Sequence, residues 1–399
     1  MQSKTIIDLL SNETTRQFIG LHLRDDVKRL ALEANKYPGI NVRASCDIIQ
    51  LLQKASLKLP EHYKALAAFN AKSYEQCTSE AVAIFKASIM GIDGKHIVNI
   101  SGGIGIDDWA MAKYAQKIDS CETDADIHSM AVFNTLLFNT NIITRHLVDG
   151  INYIKDHQKT DIIYADPDRR PDSGRIFRLE DSEPNVLSHL ELLTNKADKI
   201  WLKVSPMADL NYLEKSIPNI AHIYVIALAG EVKEILISFD NRIKKEKKVV
   251  AVNIGAMETS IYEKRREISA VTYNNTGRFI YEPNRSIIKA GLSSDYADYC
   301  ELDMLAPESN FFISNKKLET FQGRTFEVIE RLLYKPRKIK SYLDQEKITQ
   351  ANITIRNFRE TTEQLRLRLK LKDGGKETLC FTTDKNGEAW CFHCRAVQS

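Results

Sequence analysis

From residue 4 to about residue 90, apolar positions recur at three- and four-residue spacing: Ile6, Leu9 and Leu10, then Phe18, Leu21 and Leu23, then Ile48, Ile49, Leu51 and Leu52. That period lines one face of a helix, and Tyr37-Pro38-Gly39 and Leu59-Pro60 punctuate it, so a succession of helices is expected. The last of them is expected to start at Thr78-Ser79-Glu80, where a hydroxyl can cap and a carboxylate meets the positive end of the dipole, and to reach Met90. At His96 the pattern changes. Short apolar runs at 97–100, 118–122, 142–149, 161–165, 200–204 and 222–227 now alternate with helix-length stretches. Runs of that kind predict parallel strands buried on both faces, hence a doubly wound α/β sheet. Residues 232–239 and 248–254 are two further strand-like stretches, expected to pair as an antiparallel hairpin at the sheet edge around a charged tip.

Asn274-Asn-Thr-Gly277 reads as a domain boundary. Beyond it lie a small segment, residues 278 to about 317, and a tail with alternating stretches such as Ile353-Thr-Ile-Arg356 and Thr378-Leu-Cys-Phe-Thr382, which suggest mixed α+β structure. The domains expected are therefore 1–75, helical; 76–275, the α/β sheet; 278–320, small; and 322–399, basic.

At 399 residues, 43% hydrophobic and 27% charged, the chain has the composition of several packed cores and not of a disordered or fibrous protein. No apolar run is long enough to span a membrane, and the first ten residues lack the apolar stretch of a secretory leader, so a cytoplasmic address is expected. The seven Cys form no disulfide framework. Cys391-Phe-His-Cys394 has metal-like spacing without a second pair, so a strand is expected there and no metal. The net charge of +3 is unevenly placed: residues 322–399 carry 16 Lys and Arg against 10 Asp and Glu. A basic module on an otherwise near-neutral body suits a polyanion, and Arg331, Lys335, Arg337 and Lys338 lie in its densest part.

The chemistry centres on Asn99-Ile-Ser101-Gly102-Gly103-Ile-Gly105-Ile-Asp107, where a strand runs through three glycines into a helix starting near Asp107. Ligands bind at the carboxyl ends of strands in such sheets, and glycines let the backbone approach them. Glu122 follows Gly105 by 17 residues at the end of the next strand, where a carboxylate can accept both ribose hydroxyls of an adenosine-type ligand. Asp149 at the end of the third strand is placed for an adenine amino group. After the fourth strand come Asp166-Pro167-Asp168-Arg169-Arg170. Pro167 stiffens the exit, leaving Asp166 and nearby carbonyls as acceptors that can orient an amino group, while the arginine forks can clamp an anion.

Together the glycine turn, Glu122, Asp149 and the Asp-Pro dipeptide resemble class I S-adenosylmethionine-dependent methyltransferases. With Tyr74-Glu-Gln-Cys-Thr-Ser-Glu80, Lys203-Val-Ser-Pro206, Gly230-Glu-Val-Lys-Glu234, Tyr281-Glu-Pro-Asn284 and 351–358, the chain is similar to bacterial members with a small ferredoxin-like segment and a C-terminal THUMP-like domain. The resemblance implies a Rossmann-like sheet and S-adenosylmethionine as cofactor, held by Thr78, Asn99, Ser101, Gly102, Gly103, Gly105, Asp107, Glu122 and Asp149. It implies catalysis by alignment at Asp166, Pro167, Asp168 and Arg169. The implied substrate is a base amino group of structured RNA, rRNA or tRNA, with Arg170, Arg331, Lys335, Arg337 and Lys338 on the substrate side. Two positions depart from the pattern: Asn99 stands where many members have an acid, and Asp168-Arg169 stands where amino-directed enzymes have a proline and an aromatic ring. A non-catalytic RNA-binding protein on the same fold is one alternative. A nicotinamide-dependent oxidoreductase is the other, although Asp108 occupies the third fingerprint position where that class has Gly or Ala.

Overall fold

The computed structural model describes residues 2–169, 178–240, 246–265 and 271–397. They form two compact units, residues 1–223 with 234–247, and residues 224–233 with 248–399. In the first unit the helices at the amino end include Ser3–Ser11, Glu13–Leu21, Val42–Ala55 and Glu80–Ile89. Ile6, Leu10, Phe18, Ile48, Ile49 and Leu52 are buried, as the spacing requires, whereas Leu21, at the end of its helix, is 81% exposed. The helix Glu80–Ile89 starts where expected, but by a different device. Ser79 makes no capping hydrogen bond through its side chain, and the Glu80 carboxylate turns back to accept the N–H groups of Glu61 and His62.

The sheet strands of this unit are β1 (His96–Asn99), β2 (Lys117–Glu122), β3 (Ile143–Leu147), β4 (Thr160–Ala165), β5 (Ala197–Val204), β6 (Ile220–Leu228) and β7 (Glu231–Phe239), the last two running on into the second unit. Their order is β3-β2-β1-β4-β5-β7-β6. Strands β1 to β5 are parallel, and the order reverses between β1 and β4, which is the doubly wound, Rossmann-like arrangement. Ile162, Ile163, Tyr164 and Ala165 of β4 and Ile200, Trp201 and Leu202 of β5 are almost fully buried. Each large apolar side chain so covered contributes about 1.5–3 kcal/mol. The Trp201 indole N–H reaches the Met90 carbonyl at 3.2 Å, tying β5 to the end of the helix Glu80–Ile89.

Two expectations about strands are corrected. Residues 231–239 do not pair with 248–254; β7 is interior, antiparallel to β5. Residues 248–254 form β8 (Lys248–Ile254), which makes an antiparallel ladder with β9 (Thr259–Glu263). An apolar run states that a strand is buried, not which way it points. The third strand also stops at Leu147, two residues short of Asp149, which caps the next helix.

In the second unit, β10 (Phe279–Pro283), β11 (Asp303–Met304), β12 (Phe312–Ser314), β13 (Gly323–Leu333), β14 (Asn352–Ile355), β15 (Glu377–Thr383) and β16 (Ala389–Ala396) form one sheet in the order β11-β12-β10-β13-β16-β15-β14. Helices Pro336–Gln345 and Thr362–Leu369 pack on it through Ile339, Leu343, Leu365 and Leu369. Alternation along β16 sends Cys391 into that core and Cys394 into a second one with Cys380 and Phe392. The two thiols therefore lie on opposite faces and share no ligand position. Among the described residues, no helix is long and apolar enough to cross a membrane.

Candidate active site

A cavity of about 360 Å³ opens at the carboxyl ends of β1, β2 and β4. Its lining includes Thr78, Asn99, Ser101, Gly102, Gly103, Gly105, Asp107, Glu122, Asp149, Asp166 and Asp168, so residues separated by 90 positions in the sequence face one space. Gly105 has φ +87 and caps the helix Ile106–Met111 in the left-handed conformation, which costs glycine nothing and a β-carbon about 1–2 kcal/mol. The Gly103 N–H donates to Glu122 Oε2 at 3.0 Å, while Glu122 Oε1 accepts the N–H groups of Thr123 and Asp124 at 2.7 and 2.8 Å. The carboxylate is thereby fixed across the mouth of the turn. Asp149 caps the helix Gly150–Asp156 through the Asn152 N–H at 2.8 Å and still borders the cavity.

Beneath the turn lie buried charges. Asp108, fully buried, accepts from Asn99 Nδ2 at 2.7 Å, from Ser120 Oγ at 2.7 Å and from Arg145. The other end of the Asn99 amide accepts the Ser101 N–H at 3.0 Å, so both of its polar atoms brace the turn. A second cluster joins distant segments. Lys86 Nζ sits 2.9 Å from Asp107, 2.8 Å from Glu234 and 3.0 Å from the Tyr164 hydroxyl, which itself donates to Asp107 at 2.9 Å. Thr78 Oγ1 donates to Glu234 at 3.1 Å. Burial works against the charge on Lys86, but Asp107 and Glu234 outweigh it and hold the ammonium above its ordinary range.

At the far wall, Asp166 accepts from Lys203 Nζ at 2.6 Å, and its N–H donates to Ser101 Oγ at 2.6 Å. Burial disfavours the Lys203 charge, yet Asp166, Glu234 and Asp107 push its pKa upward. Asp168 is held above the ordinary carboxylate range by burial and then by the neighbouring Asp166 charge. Gln76 Nε2 lies 3.3 Å from it. For Arg169 only the backbone ladder with Ser182 is described, and Arg170 lies outside the described residues.

Lys86, Lys203 and Glu234 carry no role in the sequence reading, although each interrupts or borders an apolar stretch, in Ile84-Phe-Lys86-Ala, Leu202-Lys203-Val204 and Lys233-Glu234-Ile235. A lone charge in a buried run was the available signal. On the basic domain, Arg331 is already engaged: its guanidinium donates to the Asn275 carbonyl at 2.7 Å and lies 4.7 Å over the Trp390 ring. Lys335, Arg337 and Lys338 are exposed, at and just inside the start of the helix Pro336–Gln345.

Two family models match parts of the chain: a ferredoxin-like domain over residues 279–321 and a THUMP domain-like model over residues 323–396. None of the curated proteins matches this chain in sequence. Among solved structures, a candidate methyltransferase from Porphyromonas gingivalis W83 is similar over 100% of both chains, with 25% identity and a TM-score of 0.82. Partial likenesses include a candidate methyltransferase from Streptococcus mutans in complex with SAH (11% identity, 40% of this chain and 96% of that one, TM-score 0.31) and a candidate RNA methyltransferase from Pyrococcus horikoshii (12%, 41% and 84%, TM-score 0.31). The chain is therefore methyltransferase-like in fold over its full length, with a THUMP-like domain at its carboxyl end.

Proposed function

We propose that the chain is an S-adenosylmethionine-dependent methyltransferase that acts on a base amino group of structured RNA. The observation that carries this reading is the pairing, across one cavity, of Glu122 fixed against the Gly103 N–H and Asp166 fixed against Lys203. The full-length likeness to the P. gingivalis protein supports the reaction class, and the THUMP-like domain supports RNA as the substrate. The donor set suits the cofactor. Glu122 would accept ribose hydroxyls, Gly102 to Gly105 would lie under the methionyl portion, and Asp149 would meet the adenine. A cavity of this size accommodates a nucleoside-sized ligand.

When bound, S-adenosylmethionine supplies an electrophilic methyl group and a neutral sulfide leaving group. The chain's own part is alignment. Asp166, held by Lys203 and by the hydroxyl of Ser101, would accept an N–H of the incoming amino group, turn its lone pair toward the methyl carbon, and take the proton that the nitrogen gives up as the N–C bond forms and the S–C bond breaks. Pro167, which follows it, is buried and does not line the cavity, and proline leaves no N–H there to compete. Asn99 serves this arrangement indirectly, by bracing the turn through Asp108.

Mass spectrometry of nucleosides from RNA incubated with the protein and S-adenosylmethionine tests the reading. A methylated nucleoside is expected with the native chain. The Asp166→Ala variant is expected to bind cofactor and yet lose about 100-fold in rate, the scale of a misplaced nucleophile. Full methylation by that variant would remove the proposed role of Asp166, and absence of any methylated nucleoside with the native chain across rRNA and tRNA would contradict the proposed substrate.

A further inference from the structure

A second cluster lies at the opposite edge of the sheet from the cavity. His96 is the first residue of β1, Asp119 the third of β2, and His157 follows the helix Gly150–Asp156 before β4 begins. The parallel register sets Val98 beside Asp119 and thereby brings residues from three loops and strands together. One ligand atom from each of His96, Asp119 and His157 lies within 4.8 Å of the other two. The His96 Nε2 to Asp119 Oδ2 distance is 2.6 Å, and the His157 Nε2 to Asp119 Oδ2 distance is 3.8 Å. Asp119 is only 2% exposed, whereas the imidazoles are 23% and 18% exposed, so the carboxylate is internal and the rings reach the surface.

The tautomer of His157 gives the cluster its meaning. Its Nδ1 lies 2.6 Å from the Gln158 carbonyl, an acceptor only, so Nδ1 carries a proton and Nε2 is the ring atom turned to Asp119. Nε2 stands 3.8 Å from Asp119 Oδ2, a distance too long for a hydrogen bond and within the span of two ligands of one cation. A ring nitrogen fixed by a backbone carbonyl is the usual outer support of a metal-bound imidazole. Asp119 has a matching support, since its other oxygen, Oδ1, lies 3.0 Å from His146 Nε2, which has the Tyr153 hydroxyl 3.4 Å away. In a tetrahedral site, ligand atoms stand about 3.3 Å apart around an ion bound at about 2.0–2.1 Å. The two separations from Asp119, 2.6 Å to His96 and 3.8 Å to His157, fall on either side of that value.

We propose that His96, Asp119 and His157 form a binding site for a borderline divalent transition-metal ion of the Zn²⁺ class, separate from the methyltransferase cavity. Two imidazoles and one carboxylate suit such an ion better than Mg²⁺ or Ca²⁺, which take oxygen ligands. The charged groups facing the site are Lys117, whose Nζ lies 2.7 Å from Asp119 Oδ2, together with His146 and, through the His96 N–H, Asp161. Lys117 is the competitor: its ammonium occupies the carboxylate now, and its half-exposed side chain can swing into solvent when the ion enters. The ion would join β1, β2 and the end of the helix Gly150–Asp156, stiffening the sheet below the cofactor turn.

Equilibrium dialysis of the full chain against Zn²⁺, with metal counted by mass spectrometry, tests this, and Co²⁺ substitution reports the ligand type. One ion per chain is expected, with a Co²⁺ spectrum lacking the sulfur charge-transfer band that cysteine ligation would give. His157→Ala is expected to lose the stoichiometric ion, and His146→Ala to weaken binding roughly 10–100-fold. Lys117→Ala is expected to tighten it. Thermal unfolding of each variant without metal establishes that it folds. A native chain that retains no more Zn²⁺ than the His96→Ala/His157→Ala double variant would overturn the proposal, as would a Co²⁺ spectrum of thiolate type or an unchanged affinity in Lys117→Ala.

Discussion

Glu80 shows how one buried carboxylate can anchor an element. Its oxygens accept the His62 ring at 2.6 Å and the N–H groups of Glu61 and His62 at 2.9 Å each. Burial alone would raise its pKa; the His62 ring and the two backbone donors outweigh that and hold it below the ordinary carboxylate range. Because the folded value lies below the unfolded one, the associated stability is complete above the ordinary carboxylate range and is lost as pH falls through the depressed value. The variant Glu80→Gln is therefore expected to cost about 2–3 kcal/mol near neutral pH, with the difference shrinking as pH falls below the ordinary carboxylate range. Urea unfolding of both proteins across that range checks the sign, and a difference independent of pH would refute it. Glu80 was legible in the sequence as a helix-start residue, but its partner was not. His62 lies 18 positions away with no periodicity linking the two. Glu122 was the easier case, since strand ends in a doubly wound sheet converge wherever the strands are correctly placed.

At the scale of elements, the helix Gly150–Asp156 depends on a close approach to the end of β1. A β-carbon on Gly150 would sit 2.3 Å from the Ile100 carbonyl oxygen and 2.6 Å from Ile100 Cα, and backbone cannot step aside as a side chain could. Gly150→Ala is expected to push the helix outward, lowering stability by about 1–3 kcal/mol and weakening cofactor binding, because Asp149 and Gly150 both border the cavity. Thermal unfolding with and without S-adenosylmethionine measures both effects, and an unshifted midpoint would show that the helix gives way without cost. The parallel strands were readable because a strand covered on both faces is an almost unbroken apolar run, as in Ile162-Ile-Tyr-Ala165. The direction of β7 was not readable, since Ile235-Leu-Ile237 would look the same in either sense. Asp149 fell one element later than expected for a similar reason: the sequence marks the end of an apolar stretch, whereas the last hydrogen bond of a strand depends on its neighbour.

At the scale of the whole molecule, the division of charge remains the best clue to the partner. Of the basic residues singled out, Arg331 is tied to Asn275 and Trp390, while Lys335, Arg337 and Lys338 stand exposed. Composition could locate the basic domain but not separate structural from available cations. If the exposed three meet RNA phosphates, replacing all of them with Ala is expected to lower the slope of log affinity against log salt by about 1 per lost contact, with little change in base preference. Filter binding over a salt series reads that slope, and an unchanged slope would remove these residues from the interface.

The cavity beside Glu122 is the centre of the proposed activity. Calorimetry with S-adenosylmethionine and with NAD, on the native chain and on Glu122→Ala, tests it directly. The prediction is saturable binding of S-adenosylmethionine alone, weakened by about 2–3 kcal/mol, some 30–150-fold, in the variant that loses the charged acceptor. Binding of NAD in preference, or equal affinity of the variant for S-adenosylmethionine, would contradict it.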